Sequence, residues 1–336
     1  MNVAAALTPV ISLLGLLVLM DSFKLVRLRL VALAIVAGVL AAALALALQT
    51  TVVEMLGVPL PMLRRVVAPP IEELLKILFV VYVIRWQRVG FPVDAAIVGF
   101  AVGTGFALAE NVYYLGMSRS ANPLLWVVRG FGAAILHGAV TAIAAIISQT
   151  LSARRPSPSW AVFVPGLAAA TLIHTIYNQF VLPPVVATLV LHIVLPPLVL
   201  LAFNRSERAT REWMSAGLDL DVELLRLVLS EDFGHTRLGT YLNELRARFP
   251  GPAVADMFCL MRLELELGIR AKGIVMAREA GLDLPLDAEI TNALAEVRYL
   301  EKSIGPTGLL ALRPLQVSSD RDAWQKFLLR EQRRAG

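Results

Sequence analysis

Residues 93–115 read VDAAIVGFAVGTGFALAENVYYL, an apolar run with two charged side chains, Asp94 and Glu110. A transmembrane helix needs about 20 predominantly apolar residues, so this run is long enough to cross the hydrocarbon layer. Gly99 and Gly103 have the G-x-x-x-G spacing, which lets a second helix approach closely. The run therefore predicts a membrane-spanning helix that packs inside a helix bundle.

Six further apolar runs lie before and after this one. Together they predict seven transmembrane spans, at residues 3–20, 30–50, 64–84, 93–115, 124–149, 160–181 and 185–203. Apolar residues make up 57% of the chain and the mean hydropathy is +0.69, whereas soluble domains are roughly 45–50% apolar. We therefore predict an all-α fold, a polytopic transmembrane helix bundle.

Charge divides the chain into two regions. Residues 1–205 carry 13 Lys and Arg against 6 Asp and Glu, and residues 206–336 carry 18 against 20. We predict a transmembrane domain over residues 1–205 and a cytoplasmic helical domain over residues 206–336. The basic surplus belongs to the membrane region, where it indicates topology rather than nucleic-acid binding. The sequence of the tail contains no phosphate-binding loop and no Cys/His metal set, so it predicts no specific role and no specific cytoplasmic partner for this region.

Helix signals run through residues 206–336. Apolar runs and capping residues predict helices that end near Leu229, Phe249, Gly281, Ser303 and Arg334. The predicted starts that carry capping residues are Asp219 with Asp221, Thr236 and Ser319.

Basic residues also predict the orientation in the cell membrane, since cytoplasmic loops are enriched in Lys and Arg. Ten of them follow the first, third, fifth and seventh predicted spans: Lys24, Arg27, Arg29, Arg85, Arg88, Arg154, Arg155, Arg205, Arg208 and Arg211. Four lie on the opposite side: Arg64, Arg65, Arg119 and Arg129. We therefore predict an N-terminus outside the cell and a cytoplasmic C-terminus.

Ionisable side chains inside the predicted spans carry the functional signal, because each costs roughly 2.5–3.5 kcal/mol at the bilayer centre. Away from the span ends, the third to sixth spans hold three carboxylates and two imidazoles: Glu72, Glu73, Glu110, His137 and His174. Asp94 lies at a span edge, and His192 in the seventh span is expected to be a core residue. The three carboxylates and two imidazoles lie on four different spans. Their positions relative to the outer ends of the spans correspond to depths of roughly 7–20 Å below the outer face of the membrane. A shared depth predicts one polar cluster in the outer half of the membrane.

Each of these residues also has a structural interpretation. Lys76 lies one helical turn after the two adjacent glutamates and can neutralise one of them. Glu110 could extend to the membrane interface, and a single histidine on an apolar helix is often only a core residue. Pro69 and Pro70 leave backbone carbonyls without partners, and such a break at membrane depth usually borders protein or water. The shared depth favours the functional interpretation.

A cluster of this composition can hydrolyse a bond. A buried glutamate can accept a proton from water, and histidines can stabilise an oxyanion or bind a metal. Three protein ligands plus water is the usual arrangement of catalytic zinc, so Glu110, His137 and His174 are candidate ligands of Zn²⁺ or another divalent metal. A metal-free mechanism with a glutamate base stays open.

Four motifs occur in order along the chain: Glu72-Glu73-x-x-Lys76, Phe106-x-x-x-Glu110-Asn111, His137, and His174-x-x-x-Asn178. This set resembles the PrsW family of intramembrane proteases, which is related to the CAAX prenyl proteases and to bacteriocin-processing membrane proteases. Those relatives have a histidine where this chain has Glu110, which favours the PrsW family. The resemblance covers about residues 60–205.

The resemblance implies cleavage of single-span membrane proteins near their extracytoplasmic side, as in site-1 cleavage of an anti-sigma factor during a stress response. Glu72 is then the candidate base, with Glu73 and Lys76 setting its charge. Glu110, His137 and His174 are expected to be metal ligands or oxyanion partners. Asn178 is the expected hydrogen-bond donor beside them, and Asn111 belongs to the same motif set.

Two alternatives use the same residues differently. Buried carboxylates also form proton relays, so an ion-coupled transporter is the main competitor. It requires a further acid in the inner half of the membrane, and the sequence places none between the cluster and the cytoplasmic side. A membrane scaffold without activity, with the cytoplasmic helices as its working part, is the second alternative.

Overall fold

The computed structural model describes residues 2–21, 23, 25–117, 122–153, 159–282, 288–312, 314 and 329, and every secondary-structure element assigned within these ranges is a helix. The all-α prediction is therefore confirmed for the described part of the chain. The chain divides into two compact units, Met1–Glu207 and Arg208–Gly336.

The first unit contains the long apolar helices. They are α1 (Asn2–Leu19), α2 (Leu28–Leu56), α3 (Ala68–Arg85), α4 (Pro92–Met117), α5 (Ile135–Ser152), α6 (Val164–Asn178) and α7 (Pro184–Val228), the last of which includes the boundary between the units. Three helices are preceded directly by other helical segments. These are Leu60–Met62 and the π-helix Leu63–Val67 before α3, Pro123–Val127 and the π-helix Val128–Ala134 before α5, and the 3-10 helix Trp160–Phe163 before α6.

Five helical stretches among the described residues are long and apolar enough to cross a membrane: Leu28–Leu56, Pro92–Met117, Pro123–Ser152, Trp160–Asn178 and Pro184–Val228. The first predicted span has a shorter apolar helix, Val3–Leu19. The third is the charged stretch that contains α3 with Glu72, Glu73 and Lys76. A membrane-spanning helical protein is confirmed, whereas the number of seven spans stays a prediction.

Helix α4 lies at the centre of the first unit. In its apolar window 83% of the residues are buried, against 6% in the window of α7. Gly99 and Gly103 face α5 so closely that a Cβ at Gly99 would lie 2.9 Å from that of Ala145, and a Cβ at Gly103 would overlap the carbonyl oxygen of His137. Glycine is therefore needed for this approach, which brings the backbone of His137 against α4.

Asp94 is buried in the first turn of α4, at the edge of the predicted span. Its Oδ2 accepts the backbone N–H groups of Gly90 and Phe91, at 3.1 and 3.0 Å. Free N–H groups at a helix start need such an acceptor. Asp94 therefore has a structural role at the beginning of the central helix.

The second unit contains the 3-10 helix Glu231–His235 and the helices α8 (Arg237–Leu245), α9 (Gly251–Glu279) and α10 (Ala288–Leu312). The side chain of Thr236 accepts the backbone N–H of Gly239 at 3.0 Å and caps α8, as predicted. A core of apolar side chains, among them Met257, Leu260 and Val297, lies between these helices.

One predicted helix boundary is wrong. Asp219 and Asp221 do not begin a helix, because α7 already includes both residues and no proline interrupts it after Pro197. The predicted stop after Ser303 is confirmed, because the backbone of Gly305 is non-helical, with φ +70°, and a further helical segment follows this kink up to Leu312. Four topology residues, Lys24, Arg119, Arg154 and Arg155, lie outside the described residues, as does the predicted helix from Ser319 to Arg334 apart from Leu329.

Candidate active site

Glu73 is the centre of a buried ion pair. Its Oε1 lies 2.5 Å from Nζ of Lys76, one turn further along α3, and 2.7 Å from Nδ1 of His174 on α6. All three side chains are buried. Because a lysine ammonium has no acceptor, it donates to the carboxylate, and Nδ1–H of His174 donates to the same oxygen. Of the two adjacent glutamates, Glu73 is therefore the one that Lys76 neutralises.

Glu72 has two oxygens with different surroundings. Its Oε1 accepts a hydrogen bond from Nε2 of Gln49 on α2, at 2.9 Å. Its Oε2 lies 3.8 Å from Nε2 of His174, which is beyond hydrogen-bond distance. The residue is buried nonetheless. Glu72 thus has one carboxylate oxygen, Oε1, in a hydrogen bond and a second, Oε2, that faces an imidazole nitrogen without bonding to it.

His137 connects α5 to both α3 and α4. Its Nε2 lies 3.1 Å from Oε2 of Glu110, and its Nδ1 lies 3.2 Å from Nζ of Lys76. Since Lys76 can only donate, Nδ1 accepts and Nε2–H donates to Glu110. The ring of His174 stands perpendicular to that of His137, with centroids 4.9 Å apart. Two histidines and three carboxylates from four helices therefore form one connected cluster.

The structure brings together six of the eight predicted site residues, and the two asparagines bond elsewhere. Asn111 donates to the carbonyl of Ala6 at 2.8 Å and accepts from Nε of Arg129 at 2.9 Å. Asn178, the expected donor beside the histidines, donates instead to the carbonyl of Arg64 at 3.1 Å. His174 instead uses Nδ1 on Glu73, so it does not need Asn178 as a partner there.

Sequence reasoning missed Gln49 and Arg129. Gln49 lies at the end of a predicted apolar span, where a polar amide was the available signal. Arg129 was counted only as a topology residue, but its Nη2 lies 3.3 Å from Oε2 of Glu110 and its guanidinium lies 3.8 Å from the ring centre of Tyr114. Both side chains hold a cluster carboxylate in place.

The donor set has the composition of a divalent-metal site, and binding through His137 requires Lys76 or Glu110 to leave one of its ring nitrogens. Glu72, His137 and His174 are buried and each offers one ligand atom, and these atoms all lie within 4.8 Å of one another. Two imidazoles and one carboxylate are a known ligand set of catalytic zinc. Each histidine also has a carboxylate on one ring nitrogen, Glu110 or Glu73, as metal-binding histidines usually do.

This set differs from the predicted one, which had Glu110 in the place of Glu72. The difference arises because Glu110 bonds to Nε2 of His137 and so supports that ring from one side. Lys76, at Nδ1 of the same ring, is a fixed cation within the cluster.

The region that holds this cluster matches a known family. The family model described as PrsW family intramembrane metalloprotease matches residues 26–202, more than half of the chain. No curated protein and no solved structure matches this chain. The matched range contains all six cluster residues as well as Gln49 and Arg129, and it confirms the resemblance found in the motifs. This chain belongs to the PrsW family of intramembrane metalloproteases.

Proposed function

We propose that this membrane protease is an endopeptidase whose working centre is formed by Glu72, His137 and His174. The observation that carries the proposal is the meeting of these three buried side chains, from three helices, with ligand atoms within 4.8 Å. Buried ionisable groups inside a membrane protein are costly and are usually functional. The catalytic roles of the single residues are part of the proposal.

Glu72 contributes through its free oxygen, Oε2, while Gln49 holds the other. In a metal-free reaction Oε2 accepts the proton of the attacking water and returns it to the leaving amine. When a divalent metal is bound by Glu72, His137 and His174, it supplies polarisation of the scissile carbonyl and of the water. Removing the carboxylate stops cleavage in either case.

Glu73 and Lys76 set the charge beside this centre. The Lys76 ammonium neutralises Glu73, and Glu73 in turn accepts Nδ1–H of His174. The other ring nitrogen of His174, Nε2, then presents its lone pair toward Glu72. Glu110 accepts Nε2–H of His137, with Arg129 nearby to balance its charge, and Nδ1 of that ring accepts from Lys76.

The proposed substrate is a single-span membrane protein, such as an anti-sigma factor, cut near its extracytoplasmic side. Family membership and the shared depth of the cluster in the predicted spans support this. The proposed topology has seven spans, with the N-terminus outside and residues 206–336 in the cytoplasm, and rests on the distribution of Lys and Arg. Zinc is the proposed metal, on the ligand types alone.

The test uses the purified full-length chain in proteoliposomes with a panel of single-span peptides, with and without a chelator. Wild type should cleave at least one peptide, and Glu72→Gln should reduce cleavage by a factor of about 100 or more, since a group acting on the reacting atoms is lost. Glu54→Gln is the matched control, because Glu54 is an exposed glutamate on α2. Chelator sensitivity distinguishes the metal-dependent reaction from the metal-free one, and cleavage by Glu72→Gln at the wild-type rate would remove Glu72 from the chemistry.

The same vesicles test the ion-transport alternative, which predicts ion flux without peptide cleavage. Asp21 and Asp94 are the further buried acids that such a route could use. Asp94 accepts two backbone N–H groups and Asp21 accepts that of Val26 at 3.1 Å. These bonds are those of structural carboxylates, and they favour the protease.

A further inference from the structure

The helix that carries Glu72 begins with a defect whose position can be read from its hydrogen bonds. Leu63–Val67 is a π-helix, and the N–H of Ala68 donates to the carbonyl of Leu63, five residues earlier. The same register would pair residue 69 with Arg64 and residue 70 with Arg65. Both residues are prolines, which have no N–H. The carbonyls of Arg64 and Arg65 therefore lack their backbone donors.

Two side-chain amides at the C-terminal end of α6, those of Asn178 and of the residue that follows it, Gln179, take the place of these donors. Nδ2 of Asn178 lies 3.1 Å from the carbonyl oxygen of Arg64, and Nε2 of Gln179 lies 3.0 Å from that of Arg65. The two amides are consecutive, as are the two carbonyls. We propose that Asn178 and Gln179 form an amide clamp, which replaces the hydrogen bonds that Pro69 and Pro70 cannot make.

The clamp links the two helices that carry the working centre. Asn178 lies one turn after His174 on α6, and the clamped carbonyls lie shortly before Glu72 and Glu73. A second link between the same helices is the 2.7 Å contact of His174 with Glu73. Two links on either side of Glu72 limit sliding and rotation of α3 against α6. They therefore set the 3.8 Å gap between Oε2 of Glu72 and Nε2 of His174.

The clamp makes Asn178 a positioning residue, although it belongs to the motif of His174. Its amide N–H is used on a backbone carbonyl that would otherwise lack its hydrogen bond within the helix. Gln179 lies outside the motif but performs the same task one residue on. The consequence for cleavage rests on the proposed function, whereas the consequence for stability does not.

The test is a rescue experiment on the full-length protein in detergent and proteoliposomes. Asn178→Leu with Gln179→Leu removes both donors and should lower the unfolding midpoint by about 2–4 °C for each lost bond. Cleavage of a single-span peptide that wild type cuts should fall at least tenfold. Adding Pro69→Ala and Pro70→Ala supplies backbone N–H groups in either the α or the π register. The fourfold variant should regain most of the midpoint and most of the cleavage.

Pro123→Ala is the matched control for the rescue, because Pro123 is the first residue of its helix and its missing N–H has no partner to lose. It should restore neither property. An activity loss that persists after the midpoint has recovered would show that Asn178 acts on the substrate and would overturn the clamp. An unchanged midpoint in the double-leucine variant would overturn it as well. The midpoint remains measurable if no peptide is cut, so failure of the proposed function is recognised separately.

Discussion

Glu72 and Glu73 are neighbours in the chain, but their surroundings give them different chemistry. Glu73 is paired with the buried ammonium of Lys76 and accepts a hydrogen bond from His174. Glu72 has one neutral amide partner and one free oxygen. Adjacent residues on a helix point about 100° apart, so the same helix presents one carboxylate to the cation and the other to Gln49 and His174. The sequence motif predicted this division, but not the partner that holds Glu72.

That partner provides a residue-scale prediction. Gln49→Leu removes the hydrogen bond to Oε1 of Glu72 without adding charge. Residues that orient a ligand or base typically change activity by a factor of about 10–100, and we expect a loss in this range with little change in membrane insertion. Cleavage of a single-span peptide measures it.

Thr50→Val is the control for this change, because Thr50 is the next residue on α2 and its exposed hydroxyl bonds only to its own helix, at the carbonyl of Leu46. It should cleave like wild type. If Gln49→Leu also cleaves like wild type, Glu72 does not depend on Gln49 for its position.

At the scale of elements, the cluster depends on how closely α4 and α5 approach each other. Gly103 lies against the carbonyl of His137, and the ring of Phe100 lies against Gly138. These contacts place His137 beside Glu110, which projects from the same central helix. The G-x-x-x-G spacing predicted close packing but could not identify the partner helix. The spacing of the glycines identifies the helix face that carries small residues, but it does not identify the helix that packs against that face.

The element-scale prediction is that Gly103→Ala destabilises the protein and reduces cleavage. A Cβ at this position would overlap the His137 carbonyl oxygen. Overpacking of this kind costs about 1–3 kcal/mol, although alanine is intrinsically the better helix residue by about 1 kcal/mol. Thermal unfolding in detergent measures the change.

Gly116→Ala on the same helix is the matched control, because among the described residues no atom beyond the neighbouring backbone of its own helix lies within 4 Å of the position its Cβ would take. It should be neutral or slightly stabilising. Equal unfolding midpoints for the two variants would mean that α4 and α5 do not depend on their contact at Gly103.

At the scale of the whole molecule, a metal site would link helices that are far apart in the sequence. Glu72, His137 and His174 lie on α3, α5 and α6. A ligand that binds only the folded state raises the free energy of unfolding, by about 2.7 kcal/mol when its concentration is 100 times its dissociation constant. A metal ion that bridges these helices would therefore raise the unfolding midpoint of the protein as well as affect its activity.

The whole-molecule prediction follows directly. Zn²⁺ should raise the unfolding midpoint of chelator-treated wild-type protein, and this shift should be lost in His174→Ala. His235→Ala is the control, since His235 is an exposed histidine in the 3-10 helix Glu231–His235 and should leave the shift intact. A shift of the same size in His174→Ala would place the metal elsewhere.

The linear order of residues is sufficient for the helical class, the membrane location and the family. Apolar run length and motif spacing are properties of the chain itself, and the match over residues 26–202 follows from them. The partners of each polar side chain emerged only from the packing of the helices. Gln49 on Glu72, Glu110 as a support of His137, and Asn178 on a proline-freed carbonyl depend on how helices rotate and cross. Apolar periodicity does not encode that rotation, because small residues and buried polar groups from several helices determine it together.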